Sequence, residues 1–248
     1  LHIYLFYSKL TKKEIEKLKR FVMQYCHGEL HPIALDGDLF EKFPIRGHFS
    51  RETYYRLYAP YLLPDSVERI LWLDGDIIVK KSVQEFYGQD FKGNCLIACN
   101  NKSDINDDNV KRLGLKYGQY FNAGVLLMNL IEMRRKVEIR EMEKMIDENL
   151  SLFEWQDQDI LNLIYQEWTL LESEKFNCQV GEGREDNWEK VKQAAVLHYV
   201  GAQKPWQYHY KNRAGEYYFF YMKKVCKKKY LVLLFLSTLY KCVKRKQV

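Results

Sequence analysis

Arg69-Ile70-Leu71-Trp72-Leu73-Asp74-Gly75-Asp76, followed at once by Ile77-Ile78-Val79, is the stretch on which the fold turns. The four apolar residues after Arg69 leave no polar face, the pattern of a strand covered on both sides in an α/β sheet. The run stops on two carboxylates separated by a glycine. Ligands in open α/β sheets bind beyond the carboxyl ends of the strands, so this pair falls where chemistry is expected. Taken alone, Asp-Gly-Asp equally suits an ordinary turn. Side chains two apart share one face of a regular strand, but at a strand end Gly75 lets the backbone turn between the acids. One carboxylate can then bind a metal while the other faces a sugar or a water. Hard carboxylate oxygens select Mg²⁺, Mn²⁺ or Ca²⁺.

Upstream, Leu1–Tyr7 is short, apolar and aromatic and predicts a buried strand. Thr11-Lys12-Lys13-Glu14 predicts a capping box, and Ile15, Leu18, Phe21 and Val22 give the amphipathic helix that follows, ending near His27-Gly28. Glu29–Ala34 is a second short strand, so the chain opens strand, helix, strand. Leu35–His48 reads as a loop, and Ser50 caps a helix over Glu52–Tyr61 stopped by Pro64. Downstream, Cys95–Cys99, Gly124–Asn129 and Ala194–Tyr199 are strands. Asn100–Gly118 is a polar loop with a short helix. Ile131–Asn149 is one charged helix with an apolar stripe at Ile131, Val137, Met142, Met145 and Ile146, and Asp157–Gln166 is another. No repeat or linker interrupts Leu1–Trp206, which predicts one domain, taken as residues 1–222.

The 248 residues are 47% hydrophobic and 29% charged, a balance that excludes a disordered tail, a collagen-like fibre and a small disulfide scaffold. No run reaches the roughly 18–20 apolar residues of a spanning helix. The formal charge of +6 is unevenly spread: nine Lys or Arg and no acid lie in residues 223–248, which leaves the body at −3. That argues against a nucleic-acid groove in the fold and for a tail that meets something anionic. The six Cys (26, 95, 99, 178, 226 and 242) form no CxxC pair and read as reduced thiols, mostly packed in the core, of a cytosolic protein.

Other residues carry chemistry beside the acid pair. His198 ends an apolar strand just before a glycine; it suits a core histidine or, with Asp74 and Asp76, an Asp/Asp/His site that favours Mn²⁺ over Ca²⁺. Lys204, before Pro205-Trp206, suits a phosphate partner or a solvated side chain. Asn122, ahead of Ala123-Gly124, can hydrogen-bond sugar hydroxyls, and Gly124 lets the backbone approach a ligand. Asp157-Gln158-Asp159 opens a helix, where acids also serve as caps. Arg56 lies among Tyr54, Tyr55, Tyr58 and Tyr61, as a surface residue or an anchor for a phosphate or an acid.

Taken together these motifs resemble glycosyltransferase family 8. His48-Phe49-Ser50 with Thr53–Leu57, then Arg69–Asp76, resembles its central block, and Phe121–Asn129 its second. Trp155–Asn162 resembles the third, and His198–Trp206 is similar to the closing HxxGxxKPW signature. The blocks stand in order from about Leu1 to Trp206, most like the bacterial galactosyl- and glucosyltransferases that build lipopolysaccharide and other surface glycans. The resemblance implies an α/β GT-A fold, a Rossmann-like nucleotide-sugar transferase architecture, here without the family's first strand and helix. That strand supplies part of the uridine pocket, so no base-binding residue is named. It further implies retaining transfer of a hexose from UDP-galactose or UDP-glucose with Mn²⁺ or Mg²⁺. Asp74, Asp76 and His198 would be the metal ligands, and Lys204 and Gly201 would hold the diphosphate. Arg56, Asn122, Asp157 and Gln158 would line the donor sugar, with Gln158 near the anomeric face and Asp157 as the alternative nucleophile. Gln158 is a poor nucleophile, which favours same-face attack by the acceptor.

Beyond the domain, Lys227-Lys228-Lys229, the apolar run Tyr230–Tyr240, and Lys241, Lys244, Arg245 and Lys246 form the basic tail. Eleven residues are too few to span a bilayer as a helix, but suit the interface with cations on anionic lipid; a terminal core helix is the alternative. The expectation is a cytoplasmic enzyme held peripherally on the inner face of the membrane, acting on a saccharide or lipid-linked saccharide. Two other functions fit the same residues: a catalytically impaired nucleotide-sugar-binding fragment, and a metal-dependent phosphohydrolase.

Overall fold

The computed structural model describes residues 1–35, 40, 43, 45, 50–100, 106–116, 119–181 and 187–226. His48 and Phe49, part of the loops 35–48 and 100–118, and the tail from 227 onward lie outside the described residues.

The chain opens as its pattern requires. Strand β1 (His2–Tyr7), helix α1 (Lys12–Cys26) and strand β2 (Glu29–Ala34) form a βαβ unit whose strands pair in parallel, His2 opposite Glu29 through Tyr7 opposite Ala34. Thr11 and Glu14 make the reciprocal capping box, a device that contributes about 1 kcal/mol. His27 closes α1 in the left-handed region at φ 47°.

A short 3₁₀ turn, Arg51–Tyr54, leads into α2 (Tyr55–Leu62). Strands β3 (Arg69–Leu73) and β4 (Ile77–Val79) follow, then the single turn α3 (Gln84–Tyr87), β5 (Leu96–Asn100) and α4 (Asn106–Leu113). Strand β6 (Phe121–Asn129) is the spine of the molecule. It pairs antiparallel with β3 on one edge and β5 on the other, and its first eight residues are buried.

The single helix expected over residues 131–149 is two, α5 (Leu130–Lys136) and α6 (Ile139–Asn149). Val137 between them is extended at φ −134° and turned into the core. Its six-residue spacing from Ile131 is no helical period, and Leu130 and Met133, not the exposed Ile131, face inward. Helix α7 (Asp157–Tyr165), β7 (Thr169–Glu172), β8 (Cys178–Val180), α8 (Trp188–Gln193), β9 (Val196–Tyr199) and α9 (Gly215–Val225) complete the order. Cys95, Cys99 and Cys178 are buried free thiols, whereas Cys26 is exposed and Cys226 half-buried.

Three sheets result: β1-β2, β3-β6-β5-β7 and β4-β9-β8. Helices α2, α5, α6 and α7 cover one face of the central sheet. Among the described residues β1 and β3 each pair on one edge only, and both line a single cleft of about 1980 Å³. That exceeds the usual 300–1,000 Å³ of a ligand pocket because it joins the space beside these two strand edges to the region beyond Asp74. No helix among the described residues is long and apolar enough to cross a membrane.

Candidate metal centre and active site

Asp74 and Asp76 follow β3, and strand pairing brings His198 to them across more than a hundred residues. Antiparallel β4 and β9 set Ile77 opposite His198, and the Tyr199 amide donates to the Asp76 carbonyl at 3.0 Å. One ligand atom from each of Asp74, Asp76 and His198 lies within 4.8 Å of the others.

The orientation of the imidazole follows from backbone groups. The Gly124 amide donates to Asn122 Oδ1 (3.0 Å), so Asn122 Nδ2 is the end that donates to Gln158 Oε1 (2.9 Å). The Ala123 amide donates to the same Gln158 oxygen at 3.1 Å. Asn177 Nδ2 donates to Asn122 Oδ1 at 2.8 Å, which turns Asn177 Oδ1 toward His198 Nδ1 at 3.0 Å. His198 therefore donates from Nδ1 and presents Nε2 to Asp76 Oδ1 at 3.3 Å. That Asp76 oxygen is enclosed and accepts no hydrogen bond. A lone pair facing an enclosed carboxylate oxygen, with a second carboxylate in reach, fits a divalent cation.

Two side-chain cations lie on these acids. Arg56 reaches Asp74 Oδ1 at 2.8 Å and Asp157 Oδ2 at 2.9 Å, donates to the Ala123 and Thr53 carbonyls, and lies 5.4 Å from the centre of the Trp72 ring. Lys204 Nζ donates to Asp76 Oδ2 at 2.5 Å and to the Tyr199 carbonyl at 2.6 Å. Burial pushes the Asp76 carboxyl up, but Lys204, and His198 whenever its ring is charged, outweigh burial and hold it well below the usual carboxylate range. Asp157 moves the other way: burial, with the charge of Asp74, outweighs Arg56 and raises it to about 6. One guanidinium shared by two carboxylates neutralises neither fully.

The turn before α7 is built to present Asp157 and Gln158. Gln156, fully buried, takes φ 52°, a conformation that costs a non-glycine residue about 1–3 kcal/mol. Asp159 holds it there. Its carboxylate accepts from the Glu154 and Trp155 amides (2.7 and 2.8 Å), from the Tyr120 hydroxyl (2.5 Å) and from Arg112 (2.9 Å).

The structure thus brings Asp74, Asp76, His198, Lys204, Arg56, Asn122, Asp157 and Gln158 to one cleft, with Gly201 (φ 86°) on its wall. Two glycines behave differently from expectation. A Cβ on Gly124 would lie 2.1 Å from His198 Cε1, so this glycine makes room for the imidazole, not for a ligand. Gly75 is not in the left-handed region, and a Cβ there would meet nothing within 4 Å. Sequence reasoning missed Asn177, which sits between a 3₁₀ turn and β8 with no motif around it. It also missed Trp72 as a donor to Asp74 (3.0 Å).

Comparison with known proteins gives the family and the fold. The profile described as Glycosyl transferase family 8 matches residues 1–210. The lipopolysaccharide 1,2-glucosyltransferase of Escherichia coli K12 is 25% identical over 69% of this chain and 54% of its own length. The lipopolysaccharide 1,3-galactosyltransferase of Salmonella typhimurium LT2 is 24% identical over 83% of this chain and 64% of its own. The chain spans about half to two thirds of such relatives. The crystal structure of the galactosyltransferase LgtC in complex with donor and acceptor sugar analogs superposes with a TM-score of 0.73 at 24% identity, over 87% of this chain and 82% of that one. The fold is therefore GT-A.

Proposed function

Since the chain belongs to glycosyltransferase family 8, we propose that it transfers a hexose, galactose or glucose, from a UDP-sugar to a saccharide of a surface glycan or lipopolysaccharide, with retention. The observation that carries this reading is His198 Nε2 facing the enclosed Asp76 Oδ1, with Asp74 beside them. Asp74, Asp76 and His198 would hold Mn²⁺ or Mg²⁺, which when bound neutralises charge developing on the diphosphate leaving group.

The chain's own groups supply the rest. Lys204, paired with Asp76 in this structure, would hold the diphosphate, beside Gly201, where a Cβ would meet nothing within 4 Å. Arg56 holds Asp157 in place under the donor sugar. Gln158 Oε1 is taken by two N–H donors and the Asp157 carboxylate by Arg56. Neither side chain is an unencumbered nucleophile, which supports attack by the acceptor hydroxyl on the face the diphosphate leaves. The basic tail, residues 223–248, is proposed to rest on anionic lipid at the inner membrane face, and flotation on anionic vesicles of the chain against a version ending at Met222 checks this.

The test is turnover of UDP-galactose and UDP-glucose, with products identified by mass spectrometry. Transfer is expected to require Mn²⁺ or Mg²⁺ and to vanish in Asp76→Ala. Transfer that survives both EDTA and this substitution overturns the proposal. UDP binding with no product from any donor replaces it with a binding-only role.

A further inference from the structure

A second cluster of metal-ligating side chains lies at the start of the β1–β2 pair and shares no residue with the first. In the parallel register His2 stands opposite Glu29, and His31, two residues on from Glu29, falls on the same face of β2. Their ligand atoms converge. His2 Nδ1 lies 3.1 Å from His31 Nε2, and Glu29 Oε2 lies 3.6 Å from each.

These distances match a coordination polyhedron. With metal–ligand bonds of about 2.1 Å, neighbouring donors of a tetrahedral ion stand about 3.4 Å apart. The three observed separations bracket that value. The His31 ring is already oriented, stacked on Tyr4 (centroids 4.9 Å apart, planes at 23°) and meeting the His2 ring nitrogen edge to nitrogen edge (5.3 Å, 25°). All three side chains are open to solvent, His31 least so at 39%, so an ion needs no entry path and a water completes the shell.

The chemistry of the donors separates this cluster from the first. Two carboxylates and one imidazole suit Mn²⁺ or Mg²⁺, whereas two imidazoles and one carboxylate suit the borderline ions Zn²⁺, Co²⁺ and Ni²⁺. We propose that His2, Glu29 and His31 form a second metal site, selective for zinc-class ions, that staples β1 to β2. The competing account is a direct imidazole–imidazole hydrogen bond beside a carboxylate, with no ion. Both place the same atoms together, and metal titration separates them.

Co²⁺ reports a tetrahedral site by its visible absorption, and Zn²⁺ competes for it. The full chain, saturated with Mn²⁺ to fill the first centre, is titrated with Co²⁺ and then Zn²⁺. One equivalent of tetrahedral Co²⁺ is expected, displaced by Zn²⁺. His31→Ala should weaken it at least tenfold, as should His31→Gln, which keeps a polar side chain of similar reach. Asp76→Asn should leave it intact. Zn²⁺ should raise the melting temperature of the wild type by more than that of His31→Ala, in which only the first centre remains. The proposal fails if both His31 variants bind Co²⁺ as the wild type does. It fails equally if no tetrahedral band develops in the Mn²⁺-saturated chain, the result expected of a hydrogen-bonded pair alone.

Discussion

Strands β1 and β6 are made of the same kinds of residue and live in different surroundings. His2–Tyr7 is apolar and aromatic, as is most of Phe121–Asn129, yet no residue of β1 is fully buried while eight of β6 are. The difference is pairing. Strand β6 has a neighbour on each edge and helices over one face; among the described residues β1 pairs with β2 alone, and its other edge, like that of β3, lines the cleft. Apolar composition says that a segment belongs in a sheet; it does not say what covers it. The two glycines of the site repeat the contrast. Gly124, on β6, is packed against His198, and Gly75, beyond β3, opens on the cleft.

Substitution on the two strands gives the largest expected effect. Leu126, fully buried on β6, should cost about 3 kcal/mol when truncated to Ala, the usual cost of a core cavity. Leu5→Ala on half-buried β1 should cost about 1 kcal/mol or less. Urea denaturation of both variants measures this. Equal losses would mean that β1 is covered in solution as β6 is.

Next in size is the seating of His198. Asn177→Ala frees the imidazole to take either tautomer, and Gly124→Ala drives a methyl group into its ring. Each should weaken Mn²⁺ binding about 10–100-fold, the usual effect of losing a ligand's orienting partner, or about 1.4–2.8 kcal/mol. Calorimetric titration with Mn²⁺ checks it, and unchanged affinity in Asn177→Ala would mean that the backbone-anchored relay does not orient the ligand.

These residues also show how far the sequence could be read. The opening βαβ unit, β3, β6 and β9 were legible because a capping box, apolar runs and glycine stops are local signals. The three residues that converge at the first centre were legible because two stand in one motif and the third ends a strand. Asn177 was not: its role exists only where β8 lies beside β9, and nothing near it in sequence encodes that pairing. Strands β7 and β8, four and three residues long, carry too few positions to show a period. The break at Val137 was missed because charged flanks read as helix on both sides, while burial of Val137 decided the turn. The His2–Glu29–His31 cluster likewise appears only once the parallel register is known.

A smaller effect belongs to Asp157. Its carboxyl has an ordinary value of 3.8 in the unfolded chain and about 6 in the folded one. Between those values the folded chain keeps a proton that the unfolded chain has released, so this group's contribution falls as pH rises from about 4 to 6. The loss is on the order of 1–2 kcal/mol, below the linkage limit for a shift of that size because Arg56 and Asp74 share the charge. Subtracting the pH–stability curve of Asp157→Asn from that of the wild type isolates it. A difference that rises with pH over this interval would mean that Arg56 wins and the carboxylate is ionised throughout.

The smallest expected change is at Gly75, and it sharpens the contrast most. Between two acids of a candidate metal centre a glycine reads as a conformational necessity, but here the backbone is outside the left-handed region and the space around the missing Cβ is empty. Gly75→Ala should therefore alter stability by no more than about 0.5 kcal/mol, the range of an unobstructed surface substitution. Mn²⁺ affinity should also hold, since Asp74 and Asp76 keep their partners on Arg56, Trp72 and Lys204. What can change is the fit of a donor in the cleft that this residue lines, so the effect should fall on KM for the UDP-sugar and leave metal affinity alone. Loss of Mn²⁺ binding in a folded Gly75→Ala chain would show that the turn between the acids needs glycine after all, as Gly124 does for a different reason.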